Sequence, residues 1–215
     1  MEPLFHAPDP DHRSHLEEAA RILALPAEAS GFEWHPFGVF GIPLAKRVLG
    51  DKVWSRRLHV WHPEATPVGE TSVYGVHTHS GQATSHVLVG TLHHHLYDFV
   101  VAEDGVWLEA SPAGKTQATL RTHLQGPTTA GVLHVLPADQ AHGVTKPPGF
   151  AISLFEQLEE GRPKAFTTWR HLQGPQEELV LRPPVDPKRA LREARAVVEE
   201  ALYAVGSMAG GRRGA

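Results

Sequence analysis

Two histidines at i and i+2, His77 and His79, can act as a pair of metal ligands. On a β-strand side chains alternate between faces, so residues two apart point the same way and both imidazoles can meet one ion. A further histidine, His142, follows an apolar stretch and the turn Pro137-Ala138-Asp139, and it begins the next strand. The chain holds sixteen histidines, an excess that raises the expectation of metal binding although most must serve ordinary roles. His93-His94-His95 is split by a strand across two faces, so a single ion cannot use all three. Leu92 and Leu96 mark the apolar face that His94 shares, which suits a structural or surface role for this run. His86, on the strand after His79, is assigned the inward parity of Thr84 and Leu88. It either holds a ligand or substrate in place or packs in the core. Arg57, on the strand of His59, and Arg47 just before it are candidates for a bidentate clamp on a carboxylate or phosphate, with a solvated edge position as the alternative. Tyr97 is a further substrate-binding candidate.

The elements that position these residues read mostly as strands. Short runs at 38–44, 53–61, 72–79, 85–89, 92–101, 106–110, 117–123, 131–136, 150–157 and 178–181 are separated by glycine and proline turns. Ten such runs predict an antiparallel sandwich or small barrel. Asp9-Pro10 predicts a helix cap and first turn, with Leu16, Ala19, Ala20 and Leu23 at helical spacing and Pro26 as the stop. Asp186-Pro187 predicts a second helix, with Leu191, Ala194, Val198, Ala201, Leu202 and Val205 on one face and a close at Gly206 and the glycines after it. The expected organisation is a helical extension over 1–30, a β-barrel over 31–185, and a helix with a flexible tail over 186–215.

Composition removes several function classes. The chain has 215 residues and no cysteine, which excludes disulfides, thiolate catalysis and zinc–thiolate sites. Net charge is −4 with no basic stripe, so nucleic acid is not an expected partner. No apolar run reaches the ~20 residues that span a bilayer, and Met1–His6 does not resemble a signal peptide. A cytoplasmic protein acting on a small molecule is expected.

The segment Gly75 to Gly90 together with Leu136 to Val144 resembles the cupin superfamily. Its motifs are a glycine, an HxH pair, a glutamate, a later glycine, and a proline turn leading to a third histidine. His77, His79, Gly90, Pro137 and His142 match; Gly75 stands closer to the pair than is usual, and Thr84 takes the glutamate position. The resemblance spans about 31–170 and implies an antiparallel jelly-roll barrel, a divalent metal held by His77, His79 and His142, and a homodimer. Three histidines without a carboxylate leave the ion's charge available to an anionic ligand. Iron(II) is the metal expected for oxygen chemistry, with zinc, nickel or manganese compatible with the same ligands.

His77-Thr78-His79-Ser80-Gly81 and Leu58-His59-Val60-Trp61 resemble segments of the three-histidine thiol dioxygenases, and Ala151-Ile152-Ser153-Leu154 resembles the start of their Ser-x-His-x-Tyr strand. There the likeness stops, because Phe155 and Gln157 replace that histidine and tyrosine. Arg57–Trp61 is similar to the strand before HxH in uncharacterised metal-dependent cupins. The expected function is a metal-dependent oxygenase for a small anionic substrate, with Thr84, His86 and Ser153 as residues around the ligands. The alternatives are a non-catalytic cupin that senses or stores a ligand, and a metal-assisted isomerase or hydrolase.

Overall fold

The structure, a computed structural model, describes residues 6–26, 31–35, 38–65, 77–110, 114–145, 149–160 and 185–211. It is the mainly β, antiparallel architecture expected, with a helix near each end. Strands β1 (His6–Pro8), β2 (Glu33–His35), β3 (Val39–Leu49), β4 (Lys52–Trp61), β5 (Ala83–Val89), β8 (Val132–Leu136) and β10 (Ala151–Glu160) form one sheet in the order β1-β8-β5-β10-β4-β3-β2. Strands β6 (Thr91–Ala110), β7 (Gly114–Thr129) and β9 (Ala141–Thr145) form a second sheet, β7-β6-β9.

β10 is central in the larger sheet, paired with β4 on one side and β5 on the other. Both its faces are covered, so Ala151 to Phe155 are all buried, as an unbroken apolar run requires. The face of Ile152 and Leu154, continued by Phe40, Ile42, Leu58, Val60 and Leu88, packs on helices α1 (His12–Leu23) and α2 (Pro187–Gly211). Leu16, Ala19 and Leu23 come from α1, and Ala190, Leu191, Ala194 and Val198 from α2. The main apolar core therefore lies between sheet and helices. The apolar face of α2 is buried within its own chain from Ala190 to Val198, and Ala201, Leu202 and Val205 continue it partly buried.

The opposite face of the large sheet meets the small sheet through two thin apolar contacts. Ala83, Leu96, Leu136 and Phe155 form one, and Val87, Leu92 and Ala151 with Trp61 and Val144 form the other. Between them the interior of the sandwich is occupied by polar and imidazole side chains.

Several boundaries differ from expectation. The runs at 92–101 and 106–110 are one strand, β6, because a register shift between Val101 and Val106 absorbs the intervening residues without ending the pairing with β7. α1 begins at His12, not Pro10, because the Asp9 carboxylate accepts the Asp11 N–H at 3.0 Å and turns the chain once more first. α2 is capped as expected, with Arg189 N–H donating to Asp186 Oδ1 at 2.9 Å, but it continues through Gly206 to Gly211. The short strands β1 and β2 carried no sequence signal. The run at 178–181 and residues 72–76 of the run at 72–79 lie outside the described residues. No helix among the described residues is long and apolar enough to cross a membrane.

Candidate metal centre

His77, His79 and His142 converge inside the sandwich, each offering one ring nitrogen within 4.8 Å of the others. His142 lies on β9, opposite Leu96 of β6, and so faces inward with it. His77 is not in a continuous strand. It joins β9 through an isolated bridge in which its N–H donates to the His142 carbonyl and its carbonyl accepts the His142 N–H, both at 2.9 Å. His79 is held by its carbonyl, which accepts the Asp139 N–H at 2.8 Å. Asp139 has φ of 60°, the left-handed turn conformation that aspartate tolerates better than most side chains. The chain after His79 passes close to β10 at Gly81, where a Cβ would stand 1.6 Å from the Leu158 carbonyl oxygen, so only glycine fits.

The rings form a tight cluster, with centroids 4.3 Å apart for His77–His142, 4.7 Å for His77–His79 and 4.8 Å for His79–His142. The Nε2 atoms of His77 and His79 are 3.2 Å apart, a contact that needs a proton or a cation between two lone pairs. Donors about 2.1 Å from a shared ion stand roughly 3.0 Å apart at right angles and roughly 3.4 Å apart at the tetrahedral angle, so the spacing fits a common ion. His142 Nδ1–H donates to the Gln140 carbonyl at 3.1 Å, which fixes its tautomer and leaves Nε2 as the ligand atom. Burial, reinforced by His77, His59 and Arg57, holds His79 down at about 3, and burial with His77 and His79 holds His142 well below its ordinary value. Both are therefore neutral near pH 7, the form that ligates. Among the described residues no carboxylate joins the cluster. The donor set suits a divalent metal.

The wall beside the cluster comes from the inner faces of β4 and β10. Phe155 stacks on His59 with centroids 5.1 Å apart and lies 5.2 Å from the ring of His79. Arg57 pairs with Phe155 across the strands, and Ser153 pairs with His59. Ser153 is buried, as is Gln157, whose Nε2 has no hydrogen-bond partner among the described residues. The structure thus places Arg57 and Ser153 on the inner strand face, with His59 and Phe155.

Four other candidates stand elsewhere. Thr84 and His86 face the helices, because Ser85 and Val87 between and beside them take the inner face with Ala83. Thr84 pairs with Val135 and Glu156, on the face turned from the three histidines. Arg47 is exposed near the β3–β4 turn, its guanidinium 5.5 Å from the Trp54 ring. Tyr97 stacks with His95 on the outer face of the small sheet. In the other direction, His134 is an inward histidine outside the expected set of site residues. It is fully buried and stacks on His94, centroids 4.0 Å apart, and the charge of His94 bears on His142. Its signal was present in the alternation of His134 and Leu136 along β8.

Fold and site together define an antiparallel two-sheet β protein with a three-imidazole centre in its interior. No family model matches the chain, and no curated protein does. Solved structures do. Oxalate decarboxylase from Bacillus subtilis shares 11% identity at a TM-score of 0.42, over 68% of this chain and 31% of that one. A cupin superfamily protein from Desulfitobacterium hafniense shares 14% at 0.34, over 62% and 89%. An uncharacterised conserved protein with a double-stranded β-helix domain from Klebsiella pneumoniae shares 13% at 0.36, over 68% and 96%. The chain thus spans about a third of the decarboxylase and most of the other two.

Proposed function

We propose that this chain is a metal-dependent oxygenase of the three-histidine cupin type, acting on a small anionic substrate. The observation that carries this reading is the convergence of three imidazoles, joined by no carboxylate among the described residues, beside the guanidinium-bearing face of β4. Iron(II) is the metal proposed, held by His77, His79 and His142. It would supply open coordination positions for substrate and O₂, and a Lewis charge that three neutral ligands do not cancel. Arg57 orients the anionic end of the substrate. Ser153 and the Gln157 amide add hydrogen bonds, and Phe155 keeps water from the His79 side.

The test is metal content together with oxygen uptake over a panel of small thiols and carboxylic acids. Iron-dependent and substrate-dependent oxygen consumption supports the reading. Full iron occupancy with no turnover of any member counts against it.

A second reading has its own observation. Phe155 and Gln157 stand on the inner wall where the thiol dioxygenase motif has a histidine and a tyrosine, so neither of these two positions can relay a proton. This favours a cupin that binds a small ligand without transforming it, and ligand-dependent thermal stabilisation without product would identify that case.

A further inference from the structure

A second cluster of ligating groups lies on the opposite side of the large sheet, under the start of α1. Asp9, His15 and His86 each offer one donor atom, all within 4.8 Å of one another. Asp9 is 7% exposed, and the side chains of His15 and His86 are 13% exposed. His15 Nδ1 is 2.9 Å and His86 Nδ1 is 3.3 Å from the same oxygen, Asp9 Oδ2. The two rings meet edge to face at 4.8 Å.

We propose that Asp9 Oδ2, His15 Nδ1 and His86 Nδ1 form a second divalent-metal site, of the zinc-binding class, that ties α1 to β5. The two nitrogen–oxygen spacings, 2.9 and 3.3 Å, are close to those expected around one ion, for the same geometric reason as at the first centre. A hydrogen-bonded clamp explains less. It satisfies His15, whose Nδ1–H can donate to the carboxylate at 2.9 Å, but leaves buried His86 Nδ1 with only a long 3.3 Å contact to the same, already engaged oxygen. An ion would use both nitrogens. His12 stands beside the cluster with a buried Nδ1 that also lacks a partner among the described residues. Asp9 is held for the task by its backbone, with its N–H donating to the Gly131 carbonyl at 2.8 Å, while Oδ1 accepts the Asp11 N–H at 3.0 Å and Oδ2 faces both histidines.

The two sites differ in charge. The carboxylate neutralises half of a dication here, and the ligands join the N-terminal segment to the sheet, which suits a structural ion. This inference is independent of the proposed oxygenase activity.

The test uses the full chain, freed of metal and then loaded with zinc, with bound zinc per chain and melting temperature as readouts. Wild type should bind two ions, and His142→Ala, Asp9→Asn and His15→Gln one each. Zinc should raise the melting temperature of His142→Ala but raise it much less in Asp9→Asn. No bound ion in His142→Ala, with one retained in both Asp9→Asn and His15→Gln, would overturn the proposal. A single wild-type ion that is lost in Asp9→Asn and kept in His142→Ala would uphold this site and instead refute the three-histidine centre.

Discussion

His77 and His142 are joined by a reciprocal pair of backbone hydrogen bonds, each 2.9 Å, although they come from segments far apart in the chain. The bridge fixes two of the three ligands to each other through the main chain. Side-chain rotation is then the only freedom left to them, and His142 loses even that through its Nδ1–H bond to Gln140. His79 follows two residues later and is tied to Asp139, on the turn that leads into His142. The centre is thus held together in the absence of an ion, as a preorganised site should be.

Removal of one imidazole should therefore cost an ion and leave the fold. His79→Ala is expected to bind one metal ion fewer per chain, with affinity at this centre weakened by well over about 100-fold, since even a partner of a ligand typically accounts for 10–100-fold. Elemental analysis and far-ultraviolet circular dichroism check both halves. An unchanged metal count would move the centre elsewhere.

Gly81 sets how closely the ligand segment lies against β10. A methyl group there would stand 1.6 Å from the Leu158 carbonyl oxygen and 2.6 Å from its carbon, which are backbone atoms and cannot swing away. Gly81→Ala should destabilise the protein by roughly 3 kcal/mol or more and weaken metal binding with it, because the displaced segment carries His79. Urea unfolding measures the first effect and metal titration the second. A variant of wild-type stability would mean that this stretch is not packed as described.

How far the site was legible follows from what alternation can and cannot carry. Within a strand the period of two is strict, so β4 and β10 deliver Arg57, His59, Ser153, Phe155 and Gln157 to one face as their spacing implies. His86 and Thr84 are misplaced by the expectation because it gives the strand after the Ser80-Gly81-Gln82 bend the even residues as its inward set, whereas the odd residues Ala83, Ser85 and Val87 continue the parity of His77 and His79. The helix start at Asp9 was misread for a related reason. The residue has the chemistry of a cap, but its carboxylate is engaged by the Asp11 N–H and by His15. Neither His15 nor the strand β1 that positions Asp9 could be connected to His86 from sequence, since their meeting depends on β1 pairing with β8 and β8 with β5.

Arg57 is the cation on the inner wall, and its charge already contributes to keeping His79 unprotonated. Under the proposed function it meets the anionic end of the substrate. Arg57→Leu should raise the substrate's KM or Kd by about 10- to 100-fold, the value of a charge-assisted hydrogen bond of about 1.5–3 kcal/mol, while the metal content stays unchanged. Arg57→Lys should recover part of that loss, because it restores the charge without the planar fork. Equal binding by all three proteins would remove Arg57 from the site.

The pH dependence of stability follows from His79, which burial, His77, His59 and Arg57 together depress from 6.5 to about 3. A histidine with a depressed folded value is neutral in both states above about pH 6.5, so it adds no pH dependence there. As the pH falls through the interval between about 6.5 and 3, the unfolded chain takes up the proton and the folded chain does not, so stability is lost. The slope approaches about 1.4 kcal/mol per pH unit for His79 alone, and His142, depressed in the same direction, steepens it. Metal-free protein should accordingly show urea midpoints that fall steadily from pH 7 to pH 5. His142→Phe, which removes one of the two groups, should flatten that fall, and an equally steep profile in this variant would show that His142 is accessible to protons in the folded state.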